Sequence, residues 1–236
     1  MIGRQLRNLL RKPQQLPRRD KVRILVTAGP TREFMDPVRF LSNPSTGRMG
    51  FSIARIARLM GHEVTLVAGP VSLKTPKGVK RIDVISAREM LAAVENEEFD
   101  CLIATAAVAD WRPAECALKK LKKSSMDGTL HLVRNPDVLK TISEKIRASK
   151  AKAARKVLVG FAAETGDPTV EASRKCKEKG LDFVVANDVT APNSGFGVKT
   201  NRVSFVWPDG RIENFPTMSK DSVARRIIRT VERICV

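Results

Sequence analysis

A doubly wound, mostly parallel α/β sheet is the fold class that this sequence predicts. Three observations carry it. Short apolar, β-branched runs alternate with helical patterns over most of the chain. Two strand-like runs near the end flank a Pro-Asp-Gly turn, which adds a late antiparallel hairpin. One long insertion, Trp111 to Arg134, interrupts the alternation and reads as a projecting β-arm or flap.

In chain order, "VRILVTAG" (Val22 to Gly29) is a buried strand, and a helix follows over Met49 to Met60. "EVTLVAG" (Glu63 to Gly69) and "RIDVIS" (Arg81 to Ser86) are strands, and "AREMLAAVENE" is a helix. "FDCLIATAAVAD" is a strand running into a small-residue loop. "NPDVLKTISEKIRA" is a helix begun by Asn135 with Pro136 at its first position. "KVLVGFAAET" is a strand, "DPTVEASRKCKEKG" a helix and "DFVVAND" a strand. "NRVSFVWPDGRIENF" is the hairpin, and "MSKDSVARRIIRTVERI" is the closing helix. Residues 1–20 read as a basic extension or linker remnant, and residues 21–236 as one domain. The extension lacks the apolar centre and small-residue cleavage site of a secretory signal.

The net charge is +18, of which the first twenty residues supply +5, so +13 remains on the rest. Such a field attracts polyanions. With 5% aromatic residues and no Tyr, stacking on single-stranded nucleic acid is disfavoured against binding of small phosphorylated molecules. The four cysteines form no CxxC pair, and His62 and His131 lie far apart, which argues against a zinc site and for a reduced, cytoplasmic chain. No apolar run reaches the length of a membrane span.

In a doubly wound sheet, ligands sit beyond the carboxyl ends of the strands. Four stretches leaving strand ends have unusual composition. "TAGPTREFMDPVRFLSNPSTGRMG" is a Ser/Thr/Gly loop feeding a helix, an arrangement that suits an anion; its glycines and hydroxyls include Gly29, Ser45, Thr46, Gly47 and Gly50, with Met49 between. "ATAAVADWRP" lets a flat group approach the backbone, and its Asp110 suits a ribose, a base or a metal-bound water. "KKLKK" (Lys119 to Lys123) on an extended arm would turn Lys119 and Lys120 to opposite faces. "GFAAET" puts Phe161 at a strand end, followed by Lys175 and Lys179 on one helix face.

Together, "TAGPTRE", "DPVRFLSNPSTGRMG", "VTLVAGPVSL", "AAVADWRP", "KLKK", "NPDVL", "VGFAAET" and "VANDV" resemble the phosphopantothenate–cysteine ligases (phosphopantothenoylcysteine synthetases) of bacterial coenzyme A synthesis, from about Val22 to the C-terminus. The resemblance implies a Rossmann-like domain and a two-half reaction. The carboxylate of 4′-phosphopantothenate attacks the α-phosphate of CTP to give an acyl-cytidylate and pyrophosphate; the amine of L-cysteine then displaces CMP. By motif position it implies Asn43, Arg39 and Lys120 as catalytic residues. It implies nucleotide contacts at Ala104, Asp110, Lys120, Pro136, Asp137, Val138, Leu139, Phe161, Lys175 and Lys179. Lys120 and Lys123 fall on the family's K-x-K-K flap. It further implies Mg²⁺ without naming its ligands, and a homodimer. The family's frequent fusion to a flavin-dependent decarboxylase implies a separate or fused decarboxylase partner, with no flavin expected in this chain. No nucleic acid or membrane partner is implied. Departures are local: Gly29-Pro30 stands for a common Gly-Gly, and Thr46-Gly47-Arg48-Met49-Gly50 for Ser-Gly-Lys-Met-Gly. A eukaryotic branch of the family uses ATP. Two rivals of other classes are a nucleic-acid-binding module and an NAD(P)-dependent reductase; the missing GxGxxG after the first strand weighs against the reductase.

Overall fold

The computed structural model describes residues 21–123, 128–149, 155–188, 190 and 197–235. The basic extension at 1–20 and Asp127 of the arm lie outside the described residues. Six parallel strands form the centre of the sheet: β1 (Arg23–Ala28), β4 (Glu63–Ala68), β5 (Lys80–Asp83), β6 (Cys101–Ala104), β9 (Val157–Glu164) and β10 (Phe183–Asp188). The antiparallel β12 (Val203–Val206) and β13 (Ile212–Asn214) extend one side, giving the order β13-β12-β10-β9-β6-β1-β4-β5. The chain winds outward from β1 to β5 and then returns to build the other half from β6, so the strand order reverses between β1 and β6.

The pleat sorts the core onto two faces. Ile24, Val26 and Ala28 of β1 join Phe183 and Val185 of β10 beneath α1 (Arg48–Leu59) and α5 (Lys220–Ile234). Leu25, Leu102 and Val184 point the other way, toward α2 (Ala87–Glu95), α3 (Val138–Ala148) and α4 (Pro168–Lys179). Because both faces are covered, the parallel strands read as continuous apolar runs. Phe183 is fully buried, with Phe205 at 5.2 Å and Trp207 at 5.1 Å between ring centroids. His62, also buried, ties the start of β1 to α5: its Nδ1 accepts from the Val22 amide and its Nε2 donates to Glu232.

The Pro-Asp-Gly turn forms as expected, the Trp207 amide donating to the Arg211 carbonyl at 3.0 Å. Three local readings change. The helix expected from Asn135 starts later, because the Asp137 side chain caps it by accepting from the Lys140 amide; Asn135 serves the site instead. The polar loop after β1 contains a hairpin, β2 (Arg32–Phe34) with β3 (Phe40–Ser42). Among the described residues of the arm only β7 (Trp111–Pro113) and β8 (Leu132–Arg134) pair as strands; Lys119 and Lys120 lie outside them and both are exposed.

Phe183→Ala should cost about 3–5 kcal/mol, the usual penalty for emptying a buried aromatic site. The check is urea unfolding, with the midpoint falling at unchanged slope.

Candidate active site

The crevice where strand order reverses is the expected ligand position in an open α/β sheet. Here it opens into a cleft of about 380 Å³. Its wall is the stretch Thr105 to Asp110, and the sequence explains how that stretch is held. The Thr105 and Ala106 amides donate to the carbonyl and hydroxyl of Thr27, and the Ala107 amide to the Gly29 carbonyl at 2.9 Å. The Ala109 amide donates to Thr31 Oγ1 at 3.0 Å, and Asn135 Nδ2 to the Ala109 carbonyl at 2.8 Å. Small side chains keep this pinned backbone open to a ligand.

Of the residues the sequence nominated, Asn43, Ala104, Asp110, Pro136, Asp137, Val138, Leu139, Phe161, Lys175 and Lys179 all border this cleft. Lys175 and Lys179 project from one face of α4, as their spacing requires. Each is held by a carboxylate at 2.6 Å, Lys175 by Glu164 and Lys179 by Asp137. Asn43 is exposed, and its Nδ2 donates to the carbonyls of Ala107 (3.1 Å) and Val108 (3.3 Å). Its amide nitrogen is therefore engaged with the wall, and Oδ1 is the half that can accept from a ligand.

A smaller chamber of about 110 Å³ adjoins the cleft and is bordered by Ser45, Thr46, Gly47, Met49 and Gly50. Gly47 sits at φ +74° as the N-cap of α1, with no side-chain cap, so the helix start presents its amides. Gly50 is required by close approach: a Cβ there would lie 2.5 Å from both Ala28 Cβ and Thr105 Oγ1. Ala106, Ala107, Phe161 and Ala163 border both spaces, so cleft and chamber meet across one strip of small residues and one ring. Gly29 lies at the edge of this region, its carbonyl engaged by Ala107.

Two nominated residues are not brought to the cleft. Arg39 instead pairs with the buried Asp36 at 2.6 Å and donates to the Leu121 carbonyl at 2.9 Å. Lys120 is exposed on the arm. Sequence reasoning missed Asp36, which accepts from the amides of Val38, Arg39 and Leu121 and so latches the arm to the β2–β3 hairpin. The Arg39 guanidinium, with these amides, holds the Asp36 carboxyl well below the usual carboxylate range. An Asp-Pro turn signal in "MDPVR" was its only trace in the sequence. Asn187, Asn201 and Lys220 also border the chamber and were missed; the "VAND" strand end hinted at the first.

Residues 20–234 match the family described as the DNA/pantothenate metabolism flavoprotein C-terminal domain. The chain belongs to that family. It is 44% identical over 225 residues to the coenzyme A biosynthesis bifunctional protein CoaBC of Vibrio vulnificus, covering 94% of this chain and 54% of that protein. The CoaBC of Bacillus subtilis is also 44% identical, over 88% of this chain and 50% of the relative. The chain thus spans about half the length of the curated relatives it matches. Among solved structures, the C-terminal domain of a CoaBC superposes with a TM-score of 0.73 at 39% identity, covering 92% of this chain and 96% of that one.

Asp36 keeps its charge far into acid, because its folded pKa is depressed; the latch is present above the unfolded carboxylate pKa and is lost only as pH falls through the lower folded value. Asp36→Asn should therefore free the arm at neutral pH. Tryptic cleavage after Lys119 to Lys123 should speed up by roughly tenfold, in proportion to the larger open population. An unchanged cleavage rate would show that the arm does not depend on this latch.

Proposed function

We propose that this domain joins 4′-phosphopantothenate to L-cysteine at the expense of CTP, through an acyl-cytidylate, in coenzyme A biosynthesis. The observation that carries the reading is the shared border of cleft and chamber at Ala106, Ala107, Phe161 and Ala163. A reaction between a nucleotide α-phosphate and a second anion needs two compartments that touch at one point. In this reading the cleft takes CTP. Ala104 to Asp110 and Pro136 to Leu139 receive base and ribose, and Lys175 and Lys179, held in place by their carboxylates, face the phosphates. The chamber takes phosphopantothenate, with its phosphate at the amides opening α1 and Ser45 beside them.

The chemistry then follows from charge. Two anions must approach, so cations and helix amides have to be in place beforehand. Among the described residues no cluster of three or more His, Cys, Asp or Glu side chains is arranged for a metal. Mg²⁺ would be carried chiefly by nucleotide phosphate oxygens, with at most a carboxylate such as Asp110 beside them. It would neutralise phosphate charge there. Asn43 Oδ1 accepts a hydrogen bond from the incoming cysteine amine and orients it toward the mixed anhydride. The arm, closing with Lys120 over the phosphates, keeps water from that anhydride. In this reading flavin belongs to a decarboxylase half, fused or separate, and no flavin step falls to this chain. The setting is cytoplasmic; no described helix is long and apolar enough to cross a membrane.

The test is turnover with phosphopantothenate and cysteine, comparing CTP, ATP, UTP and GTP. CTP should dominate. Asn43→Asp sets a carboxylate oxygen against the Ala107 and Val108 carbonyls in place of Nδ2 and so turns the acceptor out of position; it should release pyrophosphate at a near-native rate yet form product on the order of 10²-fold more slowly. Lys120→Gln should slow pyrophosphate release itself. Equal loss of both steps in Asn43→Asp would remove its assignment to amide formation.

We also propose a homodimer. Val38 and Phe40 on the β2–β3 hairpin and Trp111, Leu118, Leu132 and Val133 on the arm are all exposed, Leu118 at 95%. Exposed apolar side chains concentrated on two adjacent hairpins suit a second copy of the chain. Light scattering at micromolar concentration should give twice the 26.1 kDa chain mass; a fully active monomer would overturn this.

A further inference from the structure

A third concavity, of about 470 Å³, lies between α1, the loop at residues 73–76 and the start of α5. It shares no lining residue with the nucleotide cleft. Arg48, Arg55, Lys74, Lys199 and Lys220 converge on it. Among the described residues lining it, Asp221 is the only acid, and that carboxylate already pairs with Arg55. The floor is apolar, formed by Phe51, Leu73 and Pro76. Arg81 fixes this floor from behind, donating to the Leu73 carbonyl at 2.8 Å with its guanidinium 5.4 Å from the Phe51 ring centroid, while its own charge is paired with Asp83.

A solvated charge run does not look like this. Lys220 is only 7% exposed, although it opens a helix, where a cation is disfavoured by the dipole. Burial, and then the charge of Arg48, holds its ammonium below the ordinary lysine pKa. Cations gathered in a concavity repel one another, and an anion among them converts that repulsion into attraction. Ser52 adds a neutral hydroxyl at the same wall, while the Ser219 hydroxyl caps α5 by accepting from the Ser222 amide. The volume matches that of a small-molecule pocket.

We propose that this groove is a second anion site, separate from the nucleotide cleft, for a small organic phosphate whose apolar part rests on Phe51, Leu73 and Pro76. Arg48 and Lys220 border both the groove and the small chamber next to the cleft. An anion in the groove therefore draws on two cations that also set the potential of the chamber, and it couples to whatever occupies that chamber. The inference goes beyond the ligase reading and does not require it.

The experiment is calorimetric titration with inorganic pyrophosphate, at low and high salt, of the intact chain and two variants. One carries Lys74→Glu with Lys199→Glu in the groove; both side chains are exposed, so folding is not at stake. The other carries Lys179→Gln in the cleft. The unaltered chain should show two binding events. The groove variant should lose or weaken one of them by about tenfold or more, the scale of a lost charge-assisted contact. The cleft variant should weaken the other, and both events should fade with salt. A groove variant that titrates like the unaltered chain, or a cleft variant that abolishes all binding, overturns the proposal. Neither outcome bears on ligation, which turnover assays read separately.

Discussion

The site rests on one constraint: the backbone from Thr105 to Asp110 must lie against the end of β1, with the amides of Thr105, Ala106, Ala107 and Ala109 and the carbonyls of Ala107, Val108, Ala109 and Asp110 held by partners. Thr27, Gly29 and Thr31 fix one side of it, and Asn43 and Asn135 the other. Buried backbone groups left unpaired are costly, and along this wall their partners come from different loops. The same network brings four chain segments together at the switch point. That is why residues as distant as Asn43 and Lys179 border one cleft.

A second tier of interactions connects this wall to the mobile-looking parts of the sequence. Glu33, buried on β2, accepts from the Ala87 amide at the start of α2. Asp36, three residues on, holds Leu121 and Arg39. The hairpin is thus fastened to the body by one carboxylate and to the arm by the next. Arg39, which motif position assigned to catalysis, is in this structure part of the fastening. Its guanidinium orders the arm root by joining Asp36 to the Leu121 carbonyl.

The sheet was legible in the sequence because both its faces are covered, so buried strands stand out as apolar runs. The helices were legible from their caps and periodicity. Less legible was whatever depends on a partner far along the chain. β2 and β3 are three residues each, too short to show alternation, and their pairing is carried by contacts with Ile85 and Ala87. Asn135 looked like a helix cap because Pro136 follows it, but two competing partners, Ala109 and Arg112, take its side chain. The cleft residues were recoverable because their motifs sit at strand ends. Asn187, Asn201 and Lys220 were not, since only the folded topology carries the C-terminal third of the chain to the chamber.

The carboxylates facing Lys175 and Lys179 have a further consequence. Asp137 does two jobs: Oδ1 accepts from the Lys140 amide to cap α3, and Oδ2 pairs with Lys179. It cannot swing away without uncapping the helix, so it fixes Lys179 in one position, with only 22% of the lysine side chain exposed. Glu164 does the same for Lys175 from the end of β9. Ordering a free lysine costs up to about 2 kcal/mol of side-chain entropy, and here that cost falls on folding. In the proposed reading an arriving polyphosphate would meet cations already aimed at it and compete only with partly exposed ion pairs, which are individually weak. The acids that keep the lysines in place also repel the phosphates, so the cleft favours a ligand whose charge is spread across both lysines over one that meets only a single pair.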